Sequence, residues 1–100
     1  MSRSEFDPVT PGQMLKEEFL EEYGISQNRL ATSIAISANR IAEIVNNRRR
    51  ISADTAIRLA LYFGNSPEFW MNLQTHYDLK MASREIAPAV RKRIQANRAA

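Results

Sequence analysis

The stretch Gln27-Asn28-Arg29-Leu30-Ala31-Thr32-Ser33-Ile34-Ala35-Ile36-Ser37-Ala38-Asn39-Arg40-Ile41-Ala42-Glu43-Ile44-Val45-Asn46-Asn47 decides the fold. Leu30 and Ile34 stand at helical spacing, as do Ile41 and Ile44, whereas Ile34 and Ile36 do not. The chain must turn sharply between the two sets. Two short helices whose apolar side chains meet across such a turn cross steeply, as in a helix-turn-helix. Ala31 is small where the second helix passes close over the first. The joint, Ala35-Ile36-Ser37, carries alanine where glycine would enter the left-handed region freely, so strain of about 1 kcal/mol is expected there.

Hydroxyl caps and glycines punctuate the rest of the chain. Thr10 before Pro11 reads as an N-cap with proline at the first helical position, and Gln13 completes a capping box. The helix they open carries Leu15, Phe19 and Tyr23 at spacing four, with Glu17, Glu18, Glu21 and Glu22 turned to water, and Gly24 stops it. Ser26 caps the helix Gln27 to Ile34, and Ser37 caps the next, to about Asn46. Asn46-Asn47-Arg48-Arg49-Arg50 reads as a polar loop. Ser52 caps a fourth helix to Phe63, where Gly64 ends it. Ser66-Pro67-Glu68 starts a fifth, to roughly Ser83. The tail from Ile86 is read as a frayed helix or a disordered segment. No alternating stretch or hairpin dipeptide marks a strand. The expected class is all-α, with a domain over residues 1–83 that includes a dimerising fifth helix, and a basic tail over 84–100.

Composition excludes much. With 100 residues and 44% hydrophobic side chains the chain supports one modest core. It has no cysteine, so disulfide scaffolds and thiolate metal sites are out. Its single histidine, His76, is better placed as a surface or seam residue than as a ligand, so neither a metal nor a cofactor is expected. No apolar run approaches membrane-spanning length. The opening residues Met-Ser-Arg-Ser-Glu-Phe-Asp-Pro carry no apolar signal segment, so a cytoplasmic protein without membrane partners is expected. No Ser/His/Asp set, glycine-rich phosphate loop or metal-ligand spacing supports an enzyme.

Charge is unevenly spread. Residues 1–23 carry a net −4, residues 24–58 a net +4 and residues 84–100 a net +4, within an overall +3. The basic middle block coincides with the exposed face of the second motif helix. That face presents Ser37, Ala38, Asn39, Arg40, Glu43 and Asn47 opposite Ile41 and Ile44. Short and bidentate hydrogen-bonding groups with one methyl suit the base edges of the DNA major groove. Asn39 matches adenine, Arg40 guanine or phosphate, and Glu43 the cytosine amino group. Gln27, Arg29, Asn47, Arg48, Arg49 and Arg50 at the rim are expected to anchor phosphates, fixing register without reading sequence.

Ser26-Gln27-Asn28-Arg29-Leu30-Ala31 resembles the lambda-repressor-like, XRE-type helix-turn-helix domain. Wider stretches extend the likeness: Thr10 to Leu20, Asn39 to Asn47, Ala53-Asp54-Thr55-Ala56-Ile57-Arg58-Leu59-Ala60, Phe63 to Trp70, and Asn72-Leu73-Gln74. Together they resemble the HigA/VapI family of antitoxins over roughly residues 8–82. The resemblance implies a five-helix DNA-binding domain. It also implies a homodimer that represses its own operon at a palindromic site and neutralises a HigB-type toxin, a small messenger-RNA-cleaving ribonuclease. Gln27 matches the family's phosphate-binding position, and Ser37, Ala38, Asn39, Arg40 and Glu43 match the base-facing positions. Two alternatives stay open: a stand-alone XRE-family regulator without a toxin, and a helical adaptor that binds only protein.

The fifth helix carries more apolar surface than one stripe requires, so Phe69, Trp70, Leu73 and Tyr77 are expected at a seam between two copies. The like-charge pairs Glu17/Glu21 and Glu18/Glu22 are mildly unfavourable alone and offer a basic toxin a contact surface. Arg91, Lys92 and Arg93 read as solubilising charge.

Overall fold

A computed structural model describes residues 8–99. The opening residues read above for a signal segment, with Glu5 and Asp7 of the acidic block, lie outside the described residues. Six helices follow one another, and among the described residues there is no strand. The first, α1, spans residues 11–23, followed by α2 (Gln27–Ile34), α3 (Ala38–Val45), α4 (Ala53–Phe63), α5 (Pro67–Glu85) and α6 (Pro88–Ala96).

Every hydroxyl cap read from the sequence is in place. Thr10, Ser26, Ser37, Ser52 and Ser66 each accept a hydrogen bond from the backbone N–H three residues on, at 3.0–3.2 Å. Each satisfies one of the donors a helix start leaves orphaned. The ends of the first four helices are equally uniform, whereas α5 ends on an extended Ile86. Gly24, Ala35, Asn47 and Gly64 all have φ between 58° and 74°, and each follows or lies just beyond a helix end.

One difference lies inside α1. Its centre, Leu15–Leu20, is wound as a π-helix, with the Glu21 N–H donating to the Lys16 carbonyl. This wider winding brings residues five apart onto one side. Leu15 and Leu20 are therefore the buried pair, Phe19 is half-buried, and Tyr23 is 61% exposed. The expected spacing-four stripe through Tyr23 gives way to a five-residue step.

The core joins Leu15, Leu20, Leu30, Ile34, Ile41, Ile44, Ile51, Leu59 and Trp70. Trp70 corrects the expectation that it faces a partner. Its side chain is wholly enclosed, its ring lies 4.9 Å from Phe19 and 5.1 Å from Phe69, and its Nε1 donates to Asn65 Oδ1 at 3.0 Å. A buried indole must both fill volume and find an acceptor, and α1 and the α4–α5 turn supply these within one chain. Phe69, Leu73 and Tyr77 are half-buried.

Of the two outcomes expected for the tail, the structure shows a helix, and α5 runs to Glu85, two residues past Ser83. Arg91 Nη2 donates to the Ser83 carbonyl at 2.8 Å and holds the corner between α5 and α6. Every described residue from Ala82 onward is exposed, so α6 stands off the body. The radius of gyration is 16.7 Å, against about 13 Å for a compact chain of this length.

Candidate nucleic-acid interface

The arrangement starts at the α2–α3 joint. Ile36 N–H donates to the Ala31 carbonyl at 3.1 Å and Ala35 N–H to the Thr32 carbonyl at 3.3 Å. This paired closure puts its left-handed residue, Ala35, at φ 58° and ψ 47°. Arg58 on α4 steadies the strained corner. Its Nη1 donates to the Ile34 carbonyl at 2.8 Å and the Ala35 carbonyl at 3.2 Å, while Nε bonds Asp54 at 2.9 Å. A guanidinium at the negative end of α2 supplies the donors that terminal carbonyls lack.

Helix α3 leaves this joint with its inner side sealed: Ile41 and Ile44 are 0% and 1% exposed, and Val45 is buried. Its other side carries the groups expected to read bases. Ser37, Ala38 and Asn39 are exposed, and Arg40 and Glu43 are partly so. Ser37 Oγ accepts from Arg40 N at 3.1 Å. That uses one acceptor position, and the hydroxyl hydrogen can still donate outward.

The far end of α3 is closed by Asn47, with Asn47 N–H on the Ile44 carbonyl and Arg48 N–H on the Glu43 carbonyl, at 3.0 and 2.8 Å. Asparagine tolerates the left-handed region better than most residues, and here φ is 60°. Its Oδ1 accepts from Thr10 Oγ1 at 2.6 Å. Gly12 in α1 lies so near that an added Cβ would stand 1.9 Å from the Ile44 carbonyl oxygen and 2.9 Å from Asn47 Oδ1. The start of α1 is thus a backstop for the end of α3.

The structure separates the expected phosphate contacts by their partners. Gln27 is half-buried at the first turn of α2, and Arg29 and Arg48 are exposed. Asn47 has its side-chain carbonyl committed to Thr10. Arg49 Nε bonds Glu43 Oε1 at 2.9 Å. Arg50 forms an ion pair with Asp78 on α5. Behind it, buried Gln74 donates through Nε2 to Asp78 at 3.1 Å and accepts from Ile51 N–H at 3.1 Å. α5 therefore holds the arginine loop at both the backbone and the side-chain level.

Four of these residues escaped the sequence reading: Gly12, Arg58, Gln74 and Asp78. Only Gly12 left a local trace. Glycine inside a first helical turn is unfavourable by itself and implies a close backbone approach. The others act across 23 or more residues, or through such a residue, so spacing gives no sign of them.

Fold and site together define a helix-turn-helix protein whose second motif helix is sealed on one side and hydrogen-bonding on the other. The Helix-turn-helix family profile matches residues 16–70. Virulence-associated protein I of Dichelobacter nodosus is 46% identical over 83% of this chain and 77% of its own length. Antitoxin HigA-1 of Vibrio cholerae is 40% identical over 79% of this chain and 74% of its own. The structure of the Pseudomonas aeruginosa antitoxin HigA with the higBA promoter superposes with a TM-score of 0.70 at 45% identity, covering 81% of this chain and 97% of that one. The chain belongs to the HigA/VapI family of helix-turn-helix proteins.

Proposed function

We propose that this chain is a sequence-specific DNA-binding antitoxin that represses its own operon and neutralises a HigB-type toxin. The carrying observation is α3: its apolar side is buried, Arg58 holds the joint that precedes it, and Thr10 and Gly12 lie against its far end, while Ser37, Ala38, Asn39, Arg40 and Glu43 line the open side. A helix so fixed and so furnished suits the major groove. The Pseudomonas aeruginosa relative having been solved with a promoter supports the same reading. Ser37, Ala38, Asn39, Arg40 and Glu43 are assigned to bases, and Gln27, Arg29 and Arg48 to phosphates. Binding and repression require no chemistry on the partner, so the proposed role is non-enzymatic, and a repressor of its own operon acts where the DNA is, in the cytoplasm.

A homodimer on a palindrome is part of the proposal, because two recognition helices about 34 Å apart match one turn of duplex. Phe69, Leu73 and Tyr77 remain seam candidates. Leu79 on α5, Ile86 between α5 and α6, and Val90 and Ile94 on α6, all exposed, extend the apolar surface a second copy would cover. For the toxin, the exposed carboxylates Glu17, Glu18, Glu21 and Glu22 on α1 suit a basic partner.

The test is a gel shift with the DNA upstream of this chain's own reading frame, against a random duplex of equal length. Retention that survives competitor DNA and weakens with salt is expected. Asn39→Ala should cost about 1–3 kcal/mol on the upstream DNA and little on the random duplex. Equal binding to both duplexes by the unsubstituted protein would refute the proposal.

A further inference from the structure

Glu43 sits on the open side of α3, and a carboxylate there faces a polyanion when a duplex is bound. The chain answers that charge internally. Arg49 folds back so that its Nε donates to Glu43 Oε1 at 2.9 Å, with the two side chains 48% and 34% exposed. The backbone reinforces the pairing. Arg48 N–H donates to the Glu43 carbonyl at 2.8 Å, so the loop that carries Arg49 is tied to the residue Arg49 contacts. Asn47, in the left-handed region at φ 60°, makes the reversal that turns this loop back over the helix.

This geometry gives Arg49 a task different from gripping a phosphate. Its charge is engaged by a carboxylate. Its bond to Oε1 limits rotation of the carboxylate and leaves Oε2, an acceptor without a proton to donate. A fixed acceptor in the major groove accepts from an exocyclic amino group, cytosine N4 or adenine N6, and opposes the O6 of guanine and the O4 of thymine. We infer that Arg49 is a positioning residue: it neutralises Glu43 and holds it as a selector for amino-bearing bases. The inference rests on the DNA-reading role proposed above and assigns Arg49 within it.

A double-mutant cycle tests this. The unsubstituted chain, Glu43→Gln, Arg49→Ala and the double variant are titrated over a salt series with the upstream DNA and the random duplex. Thermal melts confirm that all four fold, as expected where both side chains reach solvent. Arg49→Ala is expected to cost about tenfold on the upstream DNA. In the Glu43→Gln background the same change should cost less than about twofold, because no carboxylate remains to be positioned. The log–log salt slope should move by well under the 0.9 or so that one lost phosphate contact removes. In a scan of single base-pair changes, one position should prefer an amino-bearing base; Arg49→Ala should lose that preference, and Glu43→Gln, whose amide also donates, should cease to disfavour the O6 of guanine and the O4 of thymine. Arg49→Lys should keep the affinity for the random duplex and lose most of the preference, since an ammonium lacks the planar fork. If Arg49→Ala weakens both duplexes by the same factor in both backgrounds, and flattens the slope by about 0.9, Arg49 is a phosphate anchor and the inference is wrong. If the unsubstituted chain does not distinguish the two duplexes, it is the DNA-reading proposal that fails, and this inference with it.

Discussion

Helices α3 and α6 are nearly the same length, eight and nine residues, and almost nothing else about them agrees. α3 begins on the Ser37 cap, ends on a left-handed Asn47, and buries Ile41, Ile44 and Val45. α6 begins without a side-chain cap, buries nothing, and touches the preceding helix through Arg91. An isolated helix of this length is marginal in water, because few hydrogen bonds offset a costly nucleus. α3 is therefore helical because of its surroundings, whereas α6 relies on its own backbone, the Arg91 guanidinium and an Asn97 side chain that donates to the Arg93 carbonyl. A helix packed on one side and tied down at both ends holds its side chains in fixed positions. One that stands off the body does not.

The sharpest way to break this contrast is Gly12→Ala, which would drive a methyl group against the Ile44 carbonyl. Backbone cannot swing aside as a flexible side chain can, so a loss of about 3 kcal/mol or more is expected in urea unfolding. An unchanged midpoint would mean that α1 does not brace α3. A smaller effect of opposite sign is expected from Ala35→Gly. Relief of left-handed strain outweighs the extra freedom of the unfolded chain, leaving a gain of about 0.5–1 kcal/mol. A fall in stability would show that the corner is not strained. Least of all should follow from deleting residues 87–100. At concentrations where the chain is monomeric, the midpoint of the remaining body should shift by less than about 0.5 kcal/mol. A larger drop would place α6 within the cooperative unit and erase its difference from α3.

The same contrast governs what could be read from the sequence. Caps and stops are local: Thr10, Ser26, Ser37, Ser52 and Ser66 act three residues away, and Gly24 and Gly64 through their own φ, so all were legible. The open side of α3 was legible too, because helical periodicity places Asn39 and Glu43 opposite Ile41 and Ile44. The π-winding of α1 was not, since spacings of four and five both offered apolar residues and packing chose Leu20 over Tyr23. Nor was the fate of the arginines. In sequence Arg48, Arg49 and Arg50 look alike. In space Arg48 is exposed, Arg49 is engaged by Glu43, and Arg50 by Asp78. Trp70 shows the same limit, because a large aromatic residue serves a core and a seam equally well until its neighbours are known.

That enclosed indole, the only tryptophan in the chain, also makes the protein its own optical gauge. Shielded from solvent and bonded to Asn65, it should fluoresce toward the blue and resist quenching by iodide while the helices around it stay packed. Melting of the distant arm would pass unseen by that emission.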